Sequence, residues 1–259
     1  PTPARVPTTF IEEIHGTFRA KLLQSQRELP ADEVLRIDLH CHDLNSDQPS
    51  VRLGRLLGAR ETWLPTRQLI ATQLRNGATA NTVTNHNNAR SCWELQDQGY
   101  DVLVGAEFDC MMPEHGIGLH VLTFGFEPRD EESLRKLGKR SVYEFLEYAR
   151  SHNLATVLAH PLYYYTRRKQ RVPLEAWEKL ALLFERFEVL NGQRDSWQNL
   201  LALEWLEAMT PERLEQIAER EGIPVDRYCE DPYHKRLCGG SDDHMGILAG
   251  SVGTLVHVP

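Results

Sequence analysis

Apolar residues recur along this chain in two rhythms, and the rhythm switches repeatedly. Ile11, Ile14, Phe18 and Leu22 fall at helical spacing and predict one amphipathic helix near the N-terminus. From Leu35 onward, short β-prone runs alternate with helical stretches. Residues 80–84, 101–104, 119–126, 155–158 and 187–190 read as strands. Residues 66–76, 142–151, 174–184 and 196–209 read as helices, and Thr210 with Pro211 opens another as N-cap and first helical residue. Gly77 is the stop signal of the first of these helices. Strands alternating with helices predict an α/β fold on a largely parallel sheet. The expected division is a helical extension over 1–34 and one domain over 35–259. The extension is expected to close the bottom of a barrel or to contact a partner.

At 259 residues the chain can bury a sizeable core. A net charge of −8 argues against a broad nucleic-acid surface. No apolar run nears the roughly 20 residues needed to cross a bilayer. The start lacks a basic segment followed by an apolar one, and the five cysteines are odd in number with no Cys-x-x-Cys pair. Reduced thiols and a cytoplasmic location are the plain expectation. The strand-like end over 253–258 suggests a further domain beyond residue 259.

Chemistry enters at the strand ends. His40 and His42 close the run Arg36-Ile37-Asp38-Leu39-His40-Cys41-His42. Residues two apart on a strand point the same way, so both imidazoles can face one metal ion while Cys41 packs into the core. Asp47, His86, Glu107, His120, His160, Asp242 and His244 follow in order, most of them at or just beyond an apolar run. Any one of these is as well explained by a turn, a cap or a satisfied strand-end histidine. Their recurrence at successive strand ends predicts a barrel with a multinuclear metal centre on its C-terminal rim. Imidazole and carboxylate donors suit Zn²⁺, Mn²⁺ or Fe²⁺ without choosing among them. Glu107 is placed to bridge two ions. His15, His152, His234 and His257 fall outside the pattern and read as structural or surface residues; His115 is at best a neighbour of the site. Arg167, Arg168 and Arg194 are candidates for binding a substrate phosphate, with the run from Arg168 to Arg171 equally well explained as a solvated face. The arginine-bearing segment 50–63 and the segment 223–236 read as rim insertions that select substrate, or as surface loops.

The ordered motifs resemble those of the polymerase-and-histidinol-phosphatase (PHP) superfamily. The match is Asp38-Leu39-His40-Cys41-His42, Asp47, Thr84-Asn85-His86-Asn87, Gly105-Ala106-Glu107, His120-Val121-Leu122, Ala159-His160-Pro161, Glu188-Val189 and Gly240-Ser241-Asp242-Asp243-His244, over roughly residues 35–250. The resemblance implies a distorted (β/α)7 barrel with a trinuclear centre. His40, His42, Glu107 and Asp242 would hold the first ion, Glu107, His120 and His160 the second, and Asp47, His86 and His244 the third. It also implies hydrolysis of a small phosphoester by metal-activated hydroxide, with Glu107, Asp242 and His244 as catalytic residues. A regulatory PHP module and a nucleic-acid end-processing enzyme are the alternatives. One departure stands out: Asn85 occupies a position where the family has Asp. If residue 85 lies behind a ligand histidine, the third ion is held more weakly.

Overall fold

The computed structural model describes residues 8–25, 30–46, 62–166 and 172–258. In chain order these form α1 (Thr8–Ser25), β1 (Val34–Ile37), α2 (Thr66–Arg75), β2 (Thr82–Val83), α3 (Arg90–Asp97), β3 (Leu103–Met112), β4 (Ile117–Phe124), α4 (Pro128–Arg140), α5 (Val142–Ser151), β5 (Ala155–Leu158), β6 (Tyr165–Thr166), α6 (Leu174–Leu183), β7 (Arg186–Asn191), α7 (Ser196–Glu207), α8 (Pro211–Glu221), β8 (Arg236–Gly240) and β9 (Thr254–His257). Among the described residues, no helix is long and apolar enough to cross a membrane.

The expected alternation of strands and helices is present, but the sheet is mixed. Its order is β2-β3-β4-β5-β7-β8, with β6 on the far end of β4. β2 pairs with β3 in parallel, as do β5 with β7 and β7 with β8. β4 runs antiparallel to both β3 and β5. The reason is local: only residues 113–116 join β3 to β4, whereas a parallel crossover needs a dozen or more residues. β1 pairs separately with β9. The isolated bridges Ile37–Ala80 and Cys41–Asp243 join the β1 segment to the two flanks of the larger sheet. The sheet therefore curls around the end of β1, which places His40 and His42 at its centre.

Two helices have no counterpart in the sequence expectations. α3 and α4 are short or heavily charged, and α4 buries only Asp130, Leu134 and Gly138. A reciprocal cap between Glu127 and Asp130 starts α4. Gly138 lets it approach β3 closely, since a Cβ there would meet the Asp109 carbonyl at 2.6 Å. Helix α1 packs on another helix. It lies along α7, where Lys21 pairs with Glu204 at 2.8 Å and Glu207 at 2.5 Å, and His15 meets Ser196 Oγ at 2.9 Å. Phe18 is its buried apolar contact.

Under α4 and α5, Phe108 of β3 is fully buried, with its ring 5.6 Å from those of both Phe126 and Phe145. This cluster backs the strand that carries Glu107. Phe108→Ala should cost about 3–5 kcal/mol of unfolding free energy, measured by urea denaturation. A loss under about 1 kcal/mol would show that this face of β3 does not anchor the sheet.

Candidate metal centre

The end of β1 is held by Asp38. Its carboxylate accepts from the backbone N–H groups of His40 (3.2 Å), Ser241 (2.8 Å) and Gly250 (2.7 Å) and from Ser241 Oγ (2.6 Å). That ties the His-x-His segment to the loop after β8. Gly240 permits the approach, because a Cβ there would collide with His40 and with Glu188 Oε1. Cys41 points away from the histidines. It is buried, with Sγ 3.3 Å from the Thr82 carbonyl and 2.9 Å from Gln73 Nε2, and burial pushes its thiol pKa well up. His160 and Asp242 sit at φ 26° and 52°. Strained backbone of this kind persists where surrounding structure fixes it and concentrates at functional sites.

Four donor atoms converge beyond these strands. His40 Nε2 lies 3.3 Å from Glu107 Oε2 and 3.4 Å from Asp242 Oδ1. His42 Nε2 lies 3.3 Å and 3.5 Å from the same two oxygens. Donor atoms about 3.3–3.4 Å apart can share one ion at bond lengths of about 2.0–2.1 Å. His40 Nε2, His42 Nε2 and Glu107 Oε2 are buried without a hydrogen-bond partner among the described residues. Burying such atoms unpaired is costly, and their convergence fits a cation.

The other oxygen of Glu107 serves a second group. Oε1 is 2.8 Å from His120 Nδ1 and 3.2 Å from His160 Nε2, and these two nitrogens are 3.4 Å apart. His86 Nδ1 approaches Oε2 at 3.1 Å. His42, His86 and His244 form a third group with donor atoms within 4.8 Å of one another. His244 Nδ1 meets the Asp242 carbonyl at 2.8 Å. Eight of the nine expected donors are thus assembled. Asp47 lies outside the described residues, as do Arg167 and Arg168. Arg194 stacks over the Tyr163 ring at 3.8 Å, with Nη2 3.5 Å from Asp242 Oδ2, the oxygen facing away from His40 and His42. His15, His152, His234 and His257 lie elsewhere, paired with Ser196, Tyr148, Asp231 and Glu33. His115 sits near Glu175.

Sequence reasoning gave no role to Glu188, although it lay in a matched motif. Its Oε1 is 3.0 Å from His40 Nδ1, and its Oε2 accepts from His160 N at 2.8 Å and Asn191 Nδ2 at 2.9 Å. A carboxylate on Nδ1 fixes the tautomer that leaves Nε2 free as a donor atom. Asn191 also reaches Asp242 Oδ2 at 3.1 Å. Asn85 has a different partner from the one expected. Its amide accepts from Asp43 N (2.9 Å) and donates to Asp43 Oδ1 (2.7 Å) and Ser91 Oγ (3.0 Å). The neutral amide matches a carboxylate already in place, which removes the stated ground for a weakened third ion.

No protein-family model and no curated protein matches the chain. Solved structures do. An amidohydrolase from Chromobacterium violaceum, solved with sulfate and no metal, is similar at a TM-score of 0.50 and 15% identity, over 86% of this chain and 92% of that one. A Bifidobacterium adolescentis protein named as a metal-dependent phosphoesterase gives 0.48 and 17% over 88% and 92%. A two-domain Bacteroides vulgatus protein containing a PHP-like metal-dependent phosphoesterase gives 0.47 and 15% over 86% of this chain and 58% of its own. Likeness at such identity concerns the fold, and function must be argued from the site.

The charges in the centre are interdependent. Burial alone would push Glu107 and Asp242 up, but the surrounding imidazoles hold both well below the usual carboxylate range. Burial would lower His120, yet Glu107 and Asp109 outweigh it and push its pKa from 6.5 up to about 10. Burial keeps His42 well below the ordinary histidine value. In the metal-free protein, the stabilisation from protonated His120 is complete below about pH 6.5 and is lost as pH rises through about 10. A bound ion must displace that proton. Stability of the metal-free protein should therefore fall across this window. Zinc uptake at pH 8 should release protons, read by calorimetry in buffers of differing ionisation enthalpy. Uptake without proton release would contradict this account.

Proposed function

We propose that this chain is a PHP-type metal-dependent phosphoesterase, a distorted (β/α)7 barrel with β1 completing the ring, hydrolysing a small phosphorylated substrate at a centre of three divalent ions. The observation that carries the reading is Glu107. One buried carboxylate turns each oxygen toward a different set of imidazoles, which is the arrangement a bridging anion between two cations needs. The motif order along the chain supports the same reading.

His40, His42, Glu107 and Asp242 would hold one ion, Glu107, His120 and His160 a second, and His86 and His244 with Asp47 a third; Zn²⁺, Mn²⁺ and Fe²⁺ all suit these donors. Divalent ions supply Lewis acidity there, lowering the pKa of water and neutralising phosphoryl charge. The chain's own residues do the rest. Glu188 and Asn191 orient His40 and Asp242. Arg194 offers a cation beside Asp242 to the phosphoryl oxygens. His244, a quarter exposed, directs Nδ1 to the Asp242 carbonyl and would offer Nε2 to the third ion. A nearly complete donor set favours catalysis over a regulatory role, and the acidic net charge favours a small substrate over nucleic acid.

Loaded with Zn²⁺, Mn²⁺ or Fe²⁺, the protein should turn over phosphomonoesters in a panel that also contains phosphodiesters. Glu107→Ala should remain folded at a cost in stability, but lose bound metal and at least about 100-fold in kcat, since metal Lewis acidity supplies several kcal/mol of transition-state stabilisation. Wild-type protein that binds metal yet hydrolyses neither class would sink the phosphoesterase reading. Full turnover by Glu107→Ala with full metal content would sink the bridging role.

A further inference from the structure

The β3–β4 ladder sets Asp109 directly opposite His120. Glu107 lies two residues back on β3 and so on the same face. His120 spans the two carboxylates: Nδ1 is 2.8 Å from Glu107 Oε1, and Nε2 is 3.3 Å from Asp109 Oδ1. Nδ1 also faces His160 Nε2 at 3.4 Å. The polarity is opposite to that of His40, whose Nδ1 meets Glu188 and whose Nε2 faces the donors. An imidazole whose Nε2 is tied to a carboxylate keeps its proton there and presents the Nδ1 lone pair.

Asp109 is itself held. Asn87 Nδ2 donates to Asp109 Oδ2 at 3.0 Å, and Asp109 N donates to Asn87 Oδ1 at 3.1 Å. Asn87 directly follows His86 and adopts φ 56°, a left-handed conformation that asparagine tolerates better than most residues. Its backbone N donates to the Glu107 carbonyl at 2.8 Å. The Asn87–Asp109 pair therefore joins the three segments that carry His86, Glu107 and His120, which form one candidate donor group. Asp109 is half exposed, unlike the buried Glu107 and Glu188, and its side chain contacts the ring of a donor and not the point where donors converge.

We propose that Asp109, clamped by Asn87, is a positioning residue that makes Nδ1 the ion-facing nitrogen of His120 and so sets the affinity of the subsite formed by Glu107, His120 and His160. The proposal rests on the metal-centre reading above. Neither Asp109 nor Asn87 supplies a donor atom to that subsite, so their effect should fall on one ion and spare the ion between His40, His42 and Asp242.

The test is titration with zinc alone against a competing chelator, for the full chain and for Asp109→Asn and Asn87→Ala, with nitrogen-15 NMR of the zinc-loaded, histidine-labelled proteins. The expected result is Nδ1 coordination at His120 in wild type and one ion weakened roughly 10–100-fold in Asp109→Asn. Asn87→Ala should weaken the same ion by a smaller factor; it keeps the test decisive if Asp109→Asn folds poorly. Wild-type affinity for every ion in both variants would overturn the positioning role alone, as would Nε2 coordination of His120 in wild type. Wild-type protein that binds no zinc would overturn this proposal and the metal-centre reading together.

Discussion

The structure depends on a buried electrostatic balance centred on Glu107. Glu107, Glu188, Asp242 and Asp38 are all buried, and they surround or support the histidines at the strand ends. Carboxylates and imidazoles removed from water are costly unless paired, and removing one partner from such a set leaves uncompensated charge. In the metal-free protein, protons on His40 and His120 provide the compensation: both are raised despite burial, by Glu188, Asp242 and Glu107 for His40 and by Glu107 and Asp109 for His120. Divalent cations would provide it with the donor spacings already present. Fold and metal loading are then two expressions of one balance, and the backbone strain at His160 and Asp242 is sustained by the same packing.

The mixed sheet is what makes this balance possible. A short reversal between β3 and β4 puts His120 across from Asp109 and diagonal to Glu107. A parallel crossover at that point would separate these residues by a helix. The Asp38 cross-tie performs the matching task on the other side by fixing the end of β1 to the loop that carries Asp242 and His244.

Much of the candidate site is legible in the sequence because its donors terminate apolar runs. His40, His42, His86, Glu107, His120, His160, Asp242 and His244 could be found that way, and the structure brings them together. The length of β3 is not legible: Glu107 and Asp109 interrupt its apolar pattern, so the run reads as ending at Val104 although the strand continues to Met112. The antiparallel pairing hides for a related reason, since a turn as short as 113–116 carries the information and the strand composition does not. Glu188 lies within a strand, and nothing local shows that its carboxylate reaches His40. Asn85 misleads because its meaning depends on Asp43, which is close in space and distant in sequence. Helix α4 is missed because its charged faces mask a narrow buried stripe.

The most direct test of the central claim is a crystal structure of zinc-loaded protein with anomalous scattering collected at the zinc edge. The account predicts a peak about 2.0–2.3 Å from His40 Nε2, His42 Nε2, Glu107 Oε2 and Asp242 Oδ1. It predicts a second peak on the other side of Glu107, toward His120 and His160. Zinc bound elsewhere on the chain, with Glu107 contacting no ion, would contradict it.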